Sequence, residues 1–347
     1  MAIIDKPSDF FNTKLYTGNG SENHTISGVG FQSDLTWLKS RSSAIAHMWT
    51  DAVRGNNKVI NSNLGNAETT FSSLKSWNSD GFVLSNNTNF NGNNVTFASW
   101  NWKAGTSFSN SAGANGASLA STGSINTAAG FSIISYNGRD ATDTIAHGLG
   151  AEPSVILFKC RSNAGSDWYS YWKPLGNNST IRLNNTDGSG TTGLWNNTNP
   201  TSSVFTVISS DVINRVNRTF VAYCFAEKQG YSKFGSYKGN GNANGTFVYT
   251  GFKPAFVMIK RTSSGGDDWV MYDNKRNTFN VLDKRLNPNS AGAEQDTDIL
   301  DFLSNGFKLR GTPDYVNGNG STYIYMAFAE NPFVTSTGNG SIPGTAR

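Results

Sequence analysis

Along this chain, apolar residues recur at every second position in short runs: Leu35 and Trp37, Val155 and Leu157, Val257 and Ile259, Tyr323 and Tyr325. Glycine, asparagine and proline close the runs after about eight to fifteen residues, the pattern of half-buried strands joined by turns. No segment keeps a helical period over three turns. The stretches "NAETTFSSLKSW" (66–77) and "GAEQDTDILDFL" (292–303) are each expected to make only a short helical turn. About seven strands in about 100 residues is the arithmetic of a β-sandwich. The expected class is all-β.

A second regularity has a longer period. "LYTGNGSENHTISGVGFQSDLTWLKSR" (15–41), "SYNGRDATDTIAHGLGAEPSVILFKCR" (135–161) and "GSYKGNGNANGTFVYTGFKPAFVMIKR" (235–261) are versions of one phrase. In each, a tyrosine (Tyr16, Tyr136, Tyr237) precedes Gly/Asn turns. An apolar pair follows (Thr25-Ile26, Thr144-Ile145, Phe247-Val248), then a strand ending on lysine (Lys39, Lys159, Lys260). A tryptophan comes nine or ten residues later (Trp49, Trp168, Trp269), then "KVINSN", "TIRLNN" or "KRLNPN", then a phenylalanine (Phe82, Phe205, Phe307). Each phrase closes on a strand: "TFASWNWKAG" (96–105), "TFVAYCFAEK" (219–228) or "TYIYMAFAEN" (322–331), whose apolar continuity marks a strand covered on both faces.

Constant order and spacing predict three tandem β-sandwich modules of lectin-like or jelly-roll-like type. Their expected bounds are 12–104, 131–230 and 231–333. Residues 1–11 are expected to be an attachment segment, 105–130 a Gly/Ala/Ser/Asn linker and 334–347 a flexible tail. The second and third modules abut and are expected to form a rigid pair. The shared tryptophans read as core anchors, and the lysine and arginine at each strand end as solvated termini or edge protection.

Composition refines this picture. Only 15% of residues are charged and 37% hydrophobic, while 12% are aromatic with 9 Trp, so the chain is polar through Asn, Ser, Thr and Gly rather than through ions. The net charge of +4 is scattered without basic runs, which argues against nucleic acid. Cys160 and Cys224 lie in apolar runs and read as buried free thiols. The N-terminus lacks the pattern of a secretory signal and no stretch approaches a membrane span, so synthesis in the cytoplasm without membrane insertion is expected.

Candidate chemistry is sparse. His24, His47 and His147 occupy unrelated slots without ligand spacing, and structural or surface roles are expected. Glu227 and Glu330 follow the closing strands at matching positions, and Asp80, Glu152, Asp211 and Asp314 sit in turns. One acidic residue in "NNTDGSG" (184–190) is too few for a calcium site. No catalytic residue, cofactor or metal is assigned. Three aromatics have no counterparts in the other modules: Tyr171 and Trp172 in "WYSYWKPLG", and Tyr315 in "GTPDYVNGNG". As loop aromatics among polar neighbours they are the candidates for contact with a glycan or protein partner.

Several long motifs carry a resemblance: "GVGFQSDLTWLKSRS", "WNSDGFVL", "SWNWKAG", "VAYCFAEKQGYSKFGSYKGNG", "GFKPAFVMIKR", "DFLSNGFKLR" and "YIYMAFAENPF". From Phe11 to Phe333 the chain resembles a repeat family of tailed bacteriophages, frequent in phages of marine and freshwater bacteria, including cyanobacteria. The resemblance implies a virion structural protein of tail-fibre or host-recognition type, without agreed catalytic residues. The expected partners are other virion proteins and a host cell-surface glycan, in a homo-oligomer with a trimer favoured. A capsid decoration or head-fibre protein is the alternative, and a glycan-depolymerising tailspike ranks below both.

Overall fold

The computed structural model describes residues 3–335, which form six sheets whose paired strands are all antiparallel. Three of these sheets run in corresponding order. In the first, Phe11–Thr17 pairs with Thr96–Trp102, which pairs with Leu35–Ser40, followed by Met48–Asp51. In the second the order is Phe131–Asn137, Thr219–Phe225, Val155–Cys160, Tyr169–Trp172. In the third it is Ser232–Lys238, Thr322–Pro332, Phe252–Arg261, Val270–Asp273. Each of these three is covered by one of the remaining sheets, opened by His24–Ser27, Asp143–Ala146 or Phe247–Tyr249. We call each such pair of sheets a unit, with an inner and an outer layer.

The period of two explains this layering. Along the closing strands, Ala98, Trp100 and Trp102, Val221, Tyr223 and Phe225, and Ile324, Met326 and Phe328 all point into one central cluster. The alternate positions, such as Phe220, Ala222 and Cys224, point into the core of their own unit. These strands are buried on both faces, which is why they read as continuous apolar runs. At the centre, Trp102, Phe225 and Phe328, one from each unit, form a triangle with ring centroids 5.6–6.4 Å apart.

The recurring Tyr-x-Gly has a local cause. The hydroxyls of Tyr16, Tyr136 and Tyr237 each donate to a loop carbonyl at 2.7 Å, those of Phe90, Ile213 and Val316. Two residues on, a Cβ at Gly18, Gly138 or Gly239 would come within 2.2–2.4 Å of a backbone oxygen, so only glycine fits.

Several expectations are corrected. No helix forms at 66–77 or 292–303: Leu74–Asn78 is a strand, and so is Gln295–Leu303, which pairs on both sides and buries Leu300 and Phe302 two residues apart. The 105–130 stretch is not a free linker. Thr106–Asn110 and Ser121–Asn126 add two strands to the second unit's inner sheet, because backbone amides there find partners along the edge of Phe131–Asn137. The units are not a pair plus a bead, since all three share the central cluster. Within 1–11, the described residues lie on the body: the Ile4 amide donates to Gln229 O at 3.1 Å, and Phe11 stacks on Phe328 at 5.0 Å. Residues 336–347 of the expected tail lie outside the described residues.

Candidate functional site

Many buried charged and polar side chains meet at the seams between units. The strand-end lysines are buried rather than solvated. Lys39 Nζ donates to Ala291 O of the third unit at 3.1 Å, and Lys260 Nζ to Thr186 O of the second at 3.0 Å. Lys159 Nζ donates to Ser166 O. Burial pulls all three ammonium groups down to about 8. Carbonyls that would otherwise be unsatisfied are what hold them there, which overrides the ordinary preference of a strand-end lysine for water.

Strand register also revises the tryptophan alignment. Leu35 pairs with Asp51, Val155 with Trp172, and Phe256 with Asp273. The position four residues before each partner is His47, Trp168 and Trp269. Trp49 instead corresponds to Ser170 and Met271. These three side chains close a ring of contacts. His47 accepts from Trp37 Nε1 on Nδ1 (2.8 Å), so its Nε2–H donates to Asn287 O of the third unit at 3.0 Å. Trp168 Nε1 donates to Asn61 O of the first unit at 2.7 Å, and Trp269 Nε1 to Arg182 O of the second at 2.9 Å. Burial holds the His47 imidazole well below its usual range.

Ion pairs run beside this ring. Arg41 binds Glu294 of the third unit at 2.7–3.2 Å, and Arg161 binds Glu68 of the first at 2.9–3.0 Å. Burial pushes the Glu68 carboxyl up, but Arg161 and Arg54 outweigh it and hold the group below the usual carboxylate range. Glu68 and Glu294 also meet Arg54 and Arg276, each of which is paired with a buried aspartate, Asp51 or Asp273, at 2.5 Å. Tyr223 OH of the second unit donates to Asp51 at 2.6 Å, and Trp100 Nε1 of the first to Asp273 at 3.0 Å. In the second unit the positions of this aspartate and arginine hold Trp172 and Leu175, an apolar substitute for the pair.

This placement overturns two of the three sequence candidates. Tyr171 and Trp172 are 1% and 0% exposed, Tyr171 in the second unit's own core and Trp172 packed at 5.7 Å against Trp269 across a seam. Tyr315 is half-buried, with the Arg285 guanidinium 4.7 Å from its ring centroid. The three do not form one site. They lack aromatic counterparts because the unit around them differs, a packing signal that looks in sequence like a binding signal.

The remaining candidates are likewise engaged. His24 Nδ1 lies 2.7 Å from Asn91 Oδ1, and His147 is set between the Leu149 amide and Thr201 O, with burial lowering it to about 4. Asp80 accepts from the amides of Gly28 and Gly30, Glu152 pairs with Lys173, Asp211 with Arg215, and Asp314 with Arg261. Glu227 pairs with Lys233, Glu330 with Lys253, and Asp187 with Arg182. Cys160 and Cys224 are buried free thiols. Among the described residues no group of three or more His, Cys, Asp or Glu side chains is arranged to hold a metal ion, and no helix is long and apolar enough to cross a membrane.

Two features escaped the sequence reading. Asn91, Asn214 and Asn317 each sit five residues before a closing strand, and each side chain bridges two loops. Asn317, for example, accepts from the Asn240 amide and donates to Asn242 O and Gly311 O. Their constant distance from the closing strand was the available signal. The second is a cleft of about 420 Å³ where the second unit runs into the third, bordered by Tyr249, Phe333, Glu227, Lys228 and Lys233. Tyr249 is 59% exposed, which makes this cleft the best candidate for contact with something outside the chain.

A family model described as a domain of unknown function (DUF7483) matches residues 6–332. The chain belongs to this family. No curated protein and no solved structure matches it. The DUF7483 match takes in all three units, in keeping with the shared central cluster. Its two ends meet in space, since a Cβ at Gly230 would touch both the Ile4 carbonyl and Pro332.

Proposed function

We propose that this DUF7483 chain is a non-enzymatic structural component of a tailed-phage virion, tail-fibre-like, that recognises a host-surface glycan. We further propose that its three units are copies of one module. The observation that carries the structural half of this reading is the closed set of cross-unit bonds. Lys39, Lys260, Trp168, Trp269, His47 and the Asp–Arg pairs make contacts that join units rather than face a cleft. A protein built this way holds shape under load and leaves recognition to its surface. The phage assignment rests on the resemblance of the repeated phrases. Other virion proteins are the proposed partners, with self-association into a trimer.

Immunogold labelling of intact virions with antibody to the purified chain, imaged by electron microscopy, tests the reading. Label at the tail tip or its appendages is the expected result. Uniform label over the head would overturn the recognition role and make the chain a capsid decoration protein.

A further inference from the structure

In the second unit the chain covers two strand edges with its own insert. Ser121–Asn126 pairs with Phe131–Asn137 of the inner layer. Just before it, Ser118 and Leu119 lie along Asp143–Ala146 of the outer layer, their amides donating to Thr144 O at 3.0 and 3.1 Å. Ser118 Oγ accepts from the Thr144 amide at 2.9 Å, and Ser121 Oγ donates to Ala146 O at 3.0 Å. This satisfies backbone groups that a bare edge would present to water or to another chain. The first and third units have no such insert. Their equivalent strands, Phe11–Thr17 with His24–Ser27 and Ser232–Lys238 with Phe247–Tyr249, each end a sheet.

The two bare sides differ in what they show to water. Pairing opposite Phe82, Phe205 and Phe307 aligns Ile26, Ile145 and Val248, so Thr25, Thr144 and Phe247 share one position and Ser27, Ala146 and Tyr249 another. Under the insert Thr144 is half-buried and Ala146 buried; in the first unit the small polar Thr25 and Ser27 are exposed. In the third unit two aromatic rings stand there, 43% and 59% exposed. Phe333 and Val334 border the same cleft as Tyr249, Ser232 and Lys233. With them, four of the seven exposed large apolar side chains of the described chain gather on this one side, a patch that marks an interaction surface. The bonded pairs of the outer ladder include Thr246 with Leu309 and Thr250 with Asn305. Their alternation turns the backbone groups of Phe247 and Tyr249 toward the free edge.

Whatever covers this side must meet two edges at once, one from each layer, and bring apolar groups to the rings. A single extended peptide pairs with one edge only. A second sandwich carries two edges at the same spacing, and the third unit of another copy carries matching rings as well. We propose that two copies of this chain associate through the open side of the third unit, across a twofold axis. Phe247–Tyr249 of one copy lies beside Phe247–Tyr249 of the other, so that the outer sheet of each continues into its partner's. Such a contact is isologous and self-complementary. It goes beyond the threefold association proposed above, which uses a different surface; with both contacts the assembly is a dimer of trimers.

Sedimentation velocity on the full chain over a range of concentrations tests this. The double variant Phe247→Thr/Tyr249→Ser gives the third unit the residues that the first carries at these positions, so the fold is retained, and an unchanged circular-dichroism spectrum checks it. The wild-type chain should contain an even number of copies, two, or six where the threefold contact also forms. The variant should contain half that number, with the dissociation constant of the twofold contact raised on the order of a hundredfold, the scale of losing central aromatic contacts. Phe279→Ala removes a ring that is 75% exposed near the opposite edge of the same sheet and should leave the mass unchanged. A wild-type chain of one or three copies would overturn the proposal, as would an even-numbered assembly that the double variant leaves intact. The variant's mass reads the threefold association separately: halving to three copies or to one supports the edge contact equally, and only the latter removes the trimer.

Discussion

Asp51 offers the sharpest test of how the units are joined. Its carboxylate is fully buried and accepts four hydrogen bonds: from the amides of Val53 and Arg54 at 3.1 and 2.9 Å, from Arg54 Nε at 2.5 Å, and from Tyr223 OH across the seam at 2.6 Å. Asp51→Ala would strand the Arg54 guanidinium, itself fully buried, with only Glu68, which is shared with Arg161, and the carbonyls of Trp49 and Lys58. It would also orphan the Tyr223 hydroxyl. Breaking a buried pair from one side costs about 3–5 kcal/mol. With unfolding entropy near 2.1 cal/mol/K per residue, a chain of 347 residues has about 0.7 kcal/mol/K in all, so Tm should fall by about 4–7 °C. The second unit indicates the compensation, because it carries Trp172 and Leu175 at these positions and remains packed. The double variant Asp51→Leu/Arg54→Leu, which removes both charges, should therefore lose less than Asp51→Ala alone. Urea titrations followed by tryptophan fluorescence would measure both. A cost below about 1 kcal/mol for Asp51→Ala, or a double variant worse than the single one, would refute this account of the seam.

Trp168→Phe keeps the ring but leaves the buried Asn61 carbonyl without its 2.7 Å donor; a loss of about 1–3 kcal/mol in the same titration is expected. Gly18→Ala places a Cβ 2.2 Å from Gly92 O and should cost about 1–3 kcal/mol through a forced loop shift, read as a lower urea midpoint. The pH dependence follows from Lys39, Lys159 and Lys260, whose folded pKa near 8 lies below the unfolded value. Between about pH 8 and 10 the unfolded chain holds more protons on these groups, so stability should rise with pH across that window. Beyond about pH 10 the trend should reverse. Burial raises Tyr16, Tyr136, Tyr223 and Tyr237 well above their usual value, so only the unfolded chain gives up their protons there. Urea midpoints at pH 8, 9, 10 and 11 check both limbs, and lysine-to-methionine variants should flatten the first.

The all-β class was readable because period-two alternation is local, and a strand such as Thr219–Phe225, buried on both faces, advertises itself by continuity. What lay outside local pattern was missed. The 105–130 stretch is low in apolar residues and looked like a linker; its strands owe their order to an open edge on Phe131–Asn137 that sequence does not display. Spacing paired Trp49 with Trp168 and Trp269, yet His47 fills that slot, since an imidazole N–H reaches a carbonyl as an indole N–H does. Lys39 looks like a solvated strand end because one of its acceptors, Ala291 O, which closes over it from the third unit, is 252 residues away. The candidate site fared worst. Aromatics unique to one unit look like partner contacts, but Trp172 is unique because it stands where the other units have a buried aspartate. The better signal was the change from Ser27 to Tyr249 at an outward position, visible only once the facing of each strand is known.

Differential scanning calorimetry of the intact chain tests most directly whether the three units are one body closed by cross-unit bonds. A single transition, with calorimetric and van't Hoff enthalpies in a ratio close to unity, is predicted. Two or three separable transitions, each with the enthalpy of about one unit, would contradict it and return the molecule to a string of independent sandwiches.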